Sequence, residues 1–155
     1  MSKLTHQRGT ALAVSLLLLA LLMMLGISAM YSNIVQGRMA TNYESGVQAF
    51  NLAEAGIADA LNRLNTGGAT NGFTDELTTN SGTMVTTNFG TGNYTVRALD
   101  NDDGDSNPNA DADGRITLQS AATVRGAKRT VELVVRLSPG PPATATPLAW
   151  RQITP

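Results

Sequence analysis

Apolar positions in the first 66 residues follow the period of a helix. Residues 10–30 are almost entirely apolar, and as a helix they would span about 32 Å, enough for a hydrocarbon core of about 30 Å. Apolar residues then recur at steps of three, four or seven, which indicates one face of an amphipathic helix. This stripe comprises Val35, Met39, Tyr43, Val47, Phe50, Ile57, Leu61 and Leu64. Because no proline interrupts residues 10–64, the pattern predicts one helix, apolar all round over 10–30 and amphipathic over 31–66.

After the sequence NTGG at 65–68, the apolar period shortens to two, which is typical of half-buried strands. The candidate strands are residues 83–87, 93–99, 116–124 and 130–137. The sequence RGAK between the last two predicts a tight hairpin. A small sheet with one apolar face must bury that face against another element, and the apolar stripe of the helix is available for this packing. The predicted fold is therefore α+β, with one long N-terminal helix on a small antiparallel sheet in residues 67–137.

Residues 138–155 contain five of the six prolines, separated by small and polar residues. This composition predicts an extended or disordered tail outside the sheet. Trp150 is expected to be loosely docked or mobile within it, in preference to the alternative that it stacks on a ligand.

Composition excludes several classes of function. The chain of 155 residues has a formal net charge of −1, which gives no indication of a nucleic-acid partner. It has no cysteine, so disulfides, thiolate metal sites and cysteine nucleophiles are excluded. Its single histidine, His6, precedes the apolar run, so no histidine is available for catalysis in the folded domain. We therefore do not expect an enzyme.

The charges around the apolar run predict its orientation. Lys3 and Arg8 precede the run, and the next charged residue is Arg38. This bias predicts that the N-terminus stays in the cytoplasm and that the rest of the chain crosses the membrane. Taken alone, the run fits an uncleaved anchor, or a secretory signal peptide cut after the sequence ISA, before Met30.

A third interpretation comes from a family resemblance. The sequences RGTALAVSLLLLALLMMLG at 8–26 and RMATNYESGVQAFNLAEAGIADAL at 38–61 resemble type IV pilin-like proteins, in particular PilX-type minor pilins. The resemblance implies a pilin-like fold and a leader, residues 1–9, that a prepilin peptidase removes after Gly9, leaving Thr10 as the new N-terminus. It also implies a single-pass inner-membrane protein with a periplasmic C-terminal domain, which joins other pilin subunits through its N-terminal helix in a pilus or a type II secretion pseudopilus.

Three positions bear on subunit contacts within this resemblance. Major pilins carry a glutamate at the fifth mature position, where this chain has Val14. Its absence implies a subunit at the tip or in the priming complex. Glu54 lies beside the apolar stripe, where it is either a rim carboxylate or a subunit contact, and Gly56 allows another backbone to approach closely.

The sequence DNDDGDSNPNADADG at 100–114 contains six of the 12 acidic residues and no basic one. Asn109, Asp111 and Asp113, followed by Gly114, repeat the spacing of the first half of an EF-hand loop, although Ser120 stands where the closing glutamate belongs. Further oxygen ligands are available from Asp100, Asp102, Asp103 and Asp105. Such hard oxygen ligands favour Ca²⁺. The alternatives are a solvated acidic turn and, for the whole chain, a membrane-anchored or secreted module that binds its ligand with calcium.

Overall fold

A computed structural model describes residues 4–67, 73–101, 103–104, 106–138 and 144–153, with side chains from Thr10 onward. The fold is α+β, as predicted. Helix α1 extends over Leu4–Gly67 without interruption. The chain forms two compact units, Met1–Asn42 and Tyr43–Pro155. In the described part of the chain, the first unit consists of α1 alone, and the second contains the rest of α1 and the sheet.

The second unit holds a five-stranded antiparallel sheet in which the strands lie side by side in chain order. The strands are β1 (Thr83–Phe89), β2 (Gly92–Asp100), β3 (Arg115–Val124), β4 (Ala127–Ser138) and β5 (Thr144–Ile153). A short helix α2 (Thr74–Thr78) and a 3₁₀ turn (Thr79–Gly82) precede β1. The first four strands confirm the four candidates predicted from the alternating pattern.

The predicted hairpin between β3 and β4 is confirmed. Val124 pairs with Ala127, so the loop has two residues, Arg125 and Gly126. Their φ angles are 48° and 86°. Positive φ at both loop positions characterises the turn whose twist matches that of the two strands.

The buried face of α1 differs from the predicted stripe. Ile57 and Leu64 are buried as expected, but Tyr43 is 77% exposed. Most of the helix residues that contact the sheet are small, and the buried ones include Ser45, Gly46, Ala49, Ala53, Gly56 and Ala60. Small side chains let the helix backbone approach the sheet closely, so the buried face is rotated away from the largest apolar residues.

The predicted boundary of the sheet is corrected, because residues 144–153 form its fifth strand and are not a tail. Pro147 is compatible with this strand because β5 pairs on one side only, with β4, where a proline at an irregularity is tolerated. The register shifts next to it, between Val134 and Val135. Prolines 139, 141 and 142 lie outside the described residues.

Candidate functional sites

The N-terminal part of α1 has the properties of a membrane span. An 18-residue window of this helix has a mean hydropathy of 2.6, and none of it is buried. Val14 is among the exposed apolar residues of this segment. Gly9 and Thr10, the residues that flank the predicted cleavage point, both lie within α1, and Thr10 is exposed.

The acidic loop between β2 and β3 brings three of the predicted ligands together. Asp100, Asp103 and Asp111 each place a carboxylate oxygen within 4.8 Å of the other two. Calcium–oxygen distances are about 2.3–2.6 Å, so two oxygens on opposite sides of one ion lie at most about 5 Å apart. The distances among the three carboxylate oxygens are therefore compatible with one Ca²⁺ ion between them.

Backbone hydrogen bonds hold two of these carboxylates in place. Asp103 Oδ2 accepts the N–H of Ala112 at 2.9 Å. Asp111 Oδ1 accepts the N–H groups of Gly114 and Arg115, both at 3.0 Å. The other oxygen, Asp111 Oδ2, is buried and has no hydrogen-bond partner among the described residues. Burial raises the pKa of the Asp111 carboxyl, and the backbone hydrogen bonds from Arg115 and Gly114 oppose that rise.

The remaining predicted ligands lie elsewhere or outside the described residues. Asp113 does not join the cluster, because its oxygens accept the N–H of Arg115 at 2.9 Å and the amide of Asn101 at 3.3 Å. Asn109 is exposed, and its own N–H donates to Asn107 Oδ1 at 3.2 Å. Asp102 and Asp105 lie outside the described residues. The cluster thus combines both halves of the acidic stretch and does not follow the EF-hand register.

Gly56 faces the sheet of its own chain. A Cβ atom at this position would lie 2.5 Å from Ser120 Oγ and 2.8 Å from Tyr94 Cδ2. Among the described residues, the close approach at this glycine is made to the sheet of its own chain, and its role as a subunit contact stays a prediction. Glu54 is exposed and, among the described residues, makes no hydrogen bond or ion pair.

The sequence analysis missed how β5 is attached. Arg151 on β5 donates to Glu132 Oε2 on β4 at 2.7 Å, and Gln119 on β3 donates to Glu132 Oε1 at 2.9 Å. On the helix side, the rings of Trp150 and Phe50 meet edge to face, with centroids 5.7 Å apart. The isolated tryptophan in a proline-rich segment was the one signal in the sequence that this segment docks on the domain.

The comparisons with known proteins give one match. Residues 8–58 match the family described as PilX N-terminal. The matched segment begins at Arg8, two residues before the predicted cut between Gly9 and Thr10, and includes Glu54 and Gly56. No curated protein and no solved structure matches the chain.

Proposed function

We propose, from the membership of residues 8–58 in the PilX N-terminal family, that this chain is a minor pilin-like structural subunit of a type IV pilus or of a type II secretion pseudopilus. The observation that supports the proposal most strongly is the position of the match. It covers the basic residue and glycine before the apolar run, the run itself and the amphipathic part of α1. The function proposed is structural and not catalytic.

In this proposal a prepilin peptidase cuts after Gly9, and the apolar segment stays on the mature protein. The exposed apolar surface of that segment anchors the chain in the inner membrane until assembly. The proposal places the C-terminal domain in the periplasm, an orientation that the charge bias around the run supports. With Val14 in place of the glutamate that major pilins carry at the fifth mature position, the proposed place of the subunit is at the tip or in the priming complex.

The proposed processing is tested by Gly9→Leu. This change enlarges the residue before the cut but does not weaken the apolar run, so we expect membrane insertion without cleavage and a loss of pilus or secretion function. Gly26→Leu is the matched control, because a Cβ at Gly26 meets nothing within 4 Å, and it should be processed normally. Mass spectrometry of the mature N-terminus gives the result.

The wild-type N-terminus also distinguishes the alternatives. Thr10 supports the prepilin proposal, Met30 would indicate a secreted domain, and Met1 or Ser2 an uncleaved anchor. Normal trimming of Gly9→Leu would contradict the proposal. A mature N-terminus at Met30, or at Met1 or Ser2, would favour the second candidate, which is a calcium-dependent binding module. The carboxylate cluster of the acidic loop is the observation that supports this candidate.

We also propose that the carboxylate cluster binds Ca²⁺ and thereby stabilises the sheet. Asp100 ends β2, and Asp111 lies just before β3, so an ion held by both would fix the ends of two neighbouring strands. With few protein ligands, the expected Kd is about 10⁻⁴–10⁻³ M, as in extracellular modules. Binding to the folded state alone adds about 2.7 kcal/mol of stability at one hundred times Kd.

The calcium site is tested by thermal unfolding of the full chain in detergent, with EGTA, with millimolar Ca²⁺ and with equal Mg²⁺. The wild type should melt at a higher temperature in Ca²⁺ than in Mg²⁺. Asp103→Asn should reduce the difference, because it removes a ligand charge from the cluster. Asp113→Asn removes the same charge outside the cluster and should keep the difference. The same response from both variants, or no response to Ca²⁺ in the wild type, would contradict the site.

A further inference from the structure

A pocket opens between the first hairpin of the sheet and one flank of α1. Its volume is about 370 Å³, which lies within the range of small-molecule sites. The hairpin joins β1 to β2 and is closed by the pair Phe89 and Gly92. Leu52 and Val124 supply buried apolar lining. The polar side chains that line the pocket belong to Gln48, Asn51 and Thr91.

Phe89 is an exposed aromatic residue whose position the core does not explain. Its side chain is 70% exposed and does not belong to the hydrophobic core. Its cross-strand partner is Gly92, which has no side chain to cover the ring. A Cβ atom at Gly92 would lie 2.8 Å from Leu52 Cδ2 and 2.7 Å from Val124 Cγ2. The glycine therefore lets the hairpin lie against these two residues, and the ring of Phe89 stays uncovered at the rim of the pocket.

Amide and hydroxyl groups stand beside the uncovered ring. Gln48 Nε2 donates to Glu44 Oε1 at 3.0 Å, and this bond leaves the carbonyl oxygen of Gln48 as an acceptor. The side chains of Asn51 and Thr91 are exposed and, among the described residues, make no hydrogen bond. The Asn51 amide and the Thr91 hydroxyl can each donate and accept. Together these groups match the hydroxyl groups of a ligand, because each ligand hydroxyl also both donates and accepts.

The combination of ring and polar groups defines the class of ligand. The face of an aromatic ring is electron-rich and attracts the C–H groups of a flat apolar surface. A pyranose sugar has such a surface on its ring and carries hydroxyl groups around the edge. Among the described residues, no charged side chain lines the pocket. The carboxylate of Glu44 is bonded to Gln48, so a negatively charged ligand is disfavoured.

We infer that this pocket binds a neutral saccharide, with one sugar ring stacked on Phe89. Gln48, Asn51 and Thr91 bind the hydroxyl groups at the edge of that ring, and the apolar lining contacts its C–H groups. The inference goes beyond the proposed structural function. It does not depend on that function, because the residues that line the pocket belong to the unit Tyr43–Pro155 and not to the apolar segment.

Saturation-transfer NMR of the full chain tests the binding. The protein is held in lauryldimethylamine oxide, a detergent with neither a sugar headgroup nor aromatic protons, so irradiation of aromatic protons saturates the protein alone. The probes, at millimolar concentration, are lactose, methyl β-glucoside and methyl β-glucuronide, and the last two differ by one carboxylate. We expect transfer to the ring C–H protons of the two neutral saccharides. Transfer to the glucuronide should be roughly threefold weaker, because the Glu44 carboxylate repels it.

Two pairs of variants identify the residues responsible. Phe89→Ala should lower transfer to the neutral saccharides roughly tenfold, because it removes the stacking surface, whereas Phe89→Tyr keeps the ring and should retain the transfer. Tyr43→Ala is the matched control, because Tyr43 is an exposed aromatic residue outside the pocket. Asn51→Ala should lower transfer roughly threefold through the loss of its hydrogen bonds. Asn62→Ala, at an exposed position of α1 outside the pocket, should not.

The outcomes decide the saccharide site without deciding the proposed function. No transfer to either neutral saccharide, unchanged transfer in Phe89→Ala, or equal losses in Phe89→Ala and Tyr43→Ala would overturn the site. Stronger transfer to the glucuronide than to the glucoside would overturn its preference for a neutral ligand. All variants should keep the wild-type melting temperature, since none of these positions belongs to the core. The pilin function is decided separately, by the mature N-terminus.

Discussion

At Gly56, the backbone of α1 lies so close to β2 and β3 that a methyl group does not fit. Its Cβ would lie 2.5 Å from Ser120 Oγ and 2.8 Å from Tyr94 Cδ2. We predict that Gly56→Ala lowers the free energy of unfolding, because overpacking costs up to about 3 kcal/mol and the gain in helix propensity returns only about 1 kcal/mol. Thermal unfolding of the full chain in detergent, followed by the fluorescence of Trp150, measures the change.

Three further variants show whether the contact is the cause. The Ser120 hydroxyl is buried without a hydrogen-bond partner among the described residues, so removing it in Ser120→Ala should not destabilise the protein. The double variant should then recover part of the loss caused by Gly56→Ala. Gly37→Ala, with nothing within 4 Å of its Cβ, should not destabilise the chain. Strict additivity of the two core changes would contradict the proposed clash.

The carboxyl group of Asp111 makes the free energy of unfolding of the domain fall as the pH rises. Burial raises the pKa of its carboxyl, so the folded protein retains this proton at pH values where the unfolded chain has released it. The free energy of unfolding therefore falls as the pH rises from the ordinary aspartate pKa, about 3.9, through the raised value. At neutral pH without divalent cations, this destabilisation is fully present.

We predict that Asp111→Asn removes this contribution. Asparagine keeps an oxygen to accept the N–H groups of Gly114 and Arg115 but has no proton to release. In EGTA at pH 7 the variant should melt at a higher temperature than the wild type, and the difference should shrink on acidification. Burial also raises the pKa of Glu76, but Glu76 is present in both proteins, so the comparison isolates Asp111. An equal melting temperature at all pH values would show that Asp111 has no such effect.

Among the elements, β5 depends on side-chain contacts with its neighbours. Glu132 is 8% exposed, and its carboxylate is paired with Arg151. We predict that Arg151→Ala leaves this carboxylate without its cation and loosens β5, at a cost of about 1–3 kcal/mol. Hydrogen exchange of the amides in residues 144–153 should accelerate more than exchange in β2 and β3.

Arg136→Ala is the control for that prediction. Arg136 lies on β4 and is exposed. Its backbone carbonyl accepts a hydrogen bond from the Thr146 hydroxyl, and among the described residues its side chain makes no hydrogen bond. The alanine variant should exchange like the wild type. Equal acceleration in all strands of Arg151→Ala would mean that β5 does not open separately from the rest of the sheet.

The elements with a clear period were predictable from the sequence, and β5 was not. Alternation identifies β2, β3 and β4 because each buries one face against α1. In β5 the alternation is interrupted at Pro147 and at the neighbouring register shift. An edge strand also needs fewer backbone donors, so proline is a weaker argument against a strand there than in the middle of a sheet.

Periodicity also could not identify which face of α1 packs on the sheet. The large residues Tyr43 and Val47 and the small residues Ala49 and Ala53 all recur at helical spacing. Hydrophobicity favours the larger set, whereas the small set permits closer packing. In the acidic loop, composition indicated a cation site, but which three carboxylates converge depends on the path of the chain.

At the scale of the whole molecule, the two compact units correspond to the two parts of the sequence pattern, the apolar segment and the sheet domain. The large core residues all lie in the unit Tyr43–Pro155, between Ala49 and Ala145. In the described part of the other unit, the apolar residues are exposed and have no core to join. The core of the domain is thus formed by residues of the unit Tyr43–Pro155.

The order of the strands has a consequence for how quickly the domain reaches its native state. Every strand pairs with the next one along the chain, so the sheet grows by successive hairpins, and little loop-closure entropy is lost at each step. The packing of α1 on the sheet joins residues far apart in the sequence, such as Gly56 with Ser120 and Asn65 with Ala145, and it carries the larger cost of loop closure. The hairpins can therefore form before α1 closes on the sheet, and the uncharged edge strand β1 is paired early with β2.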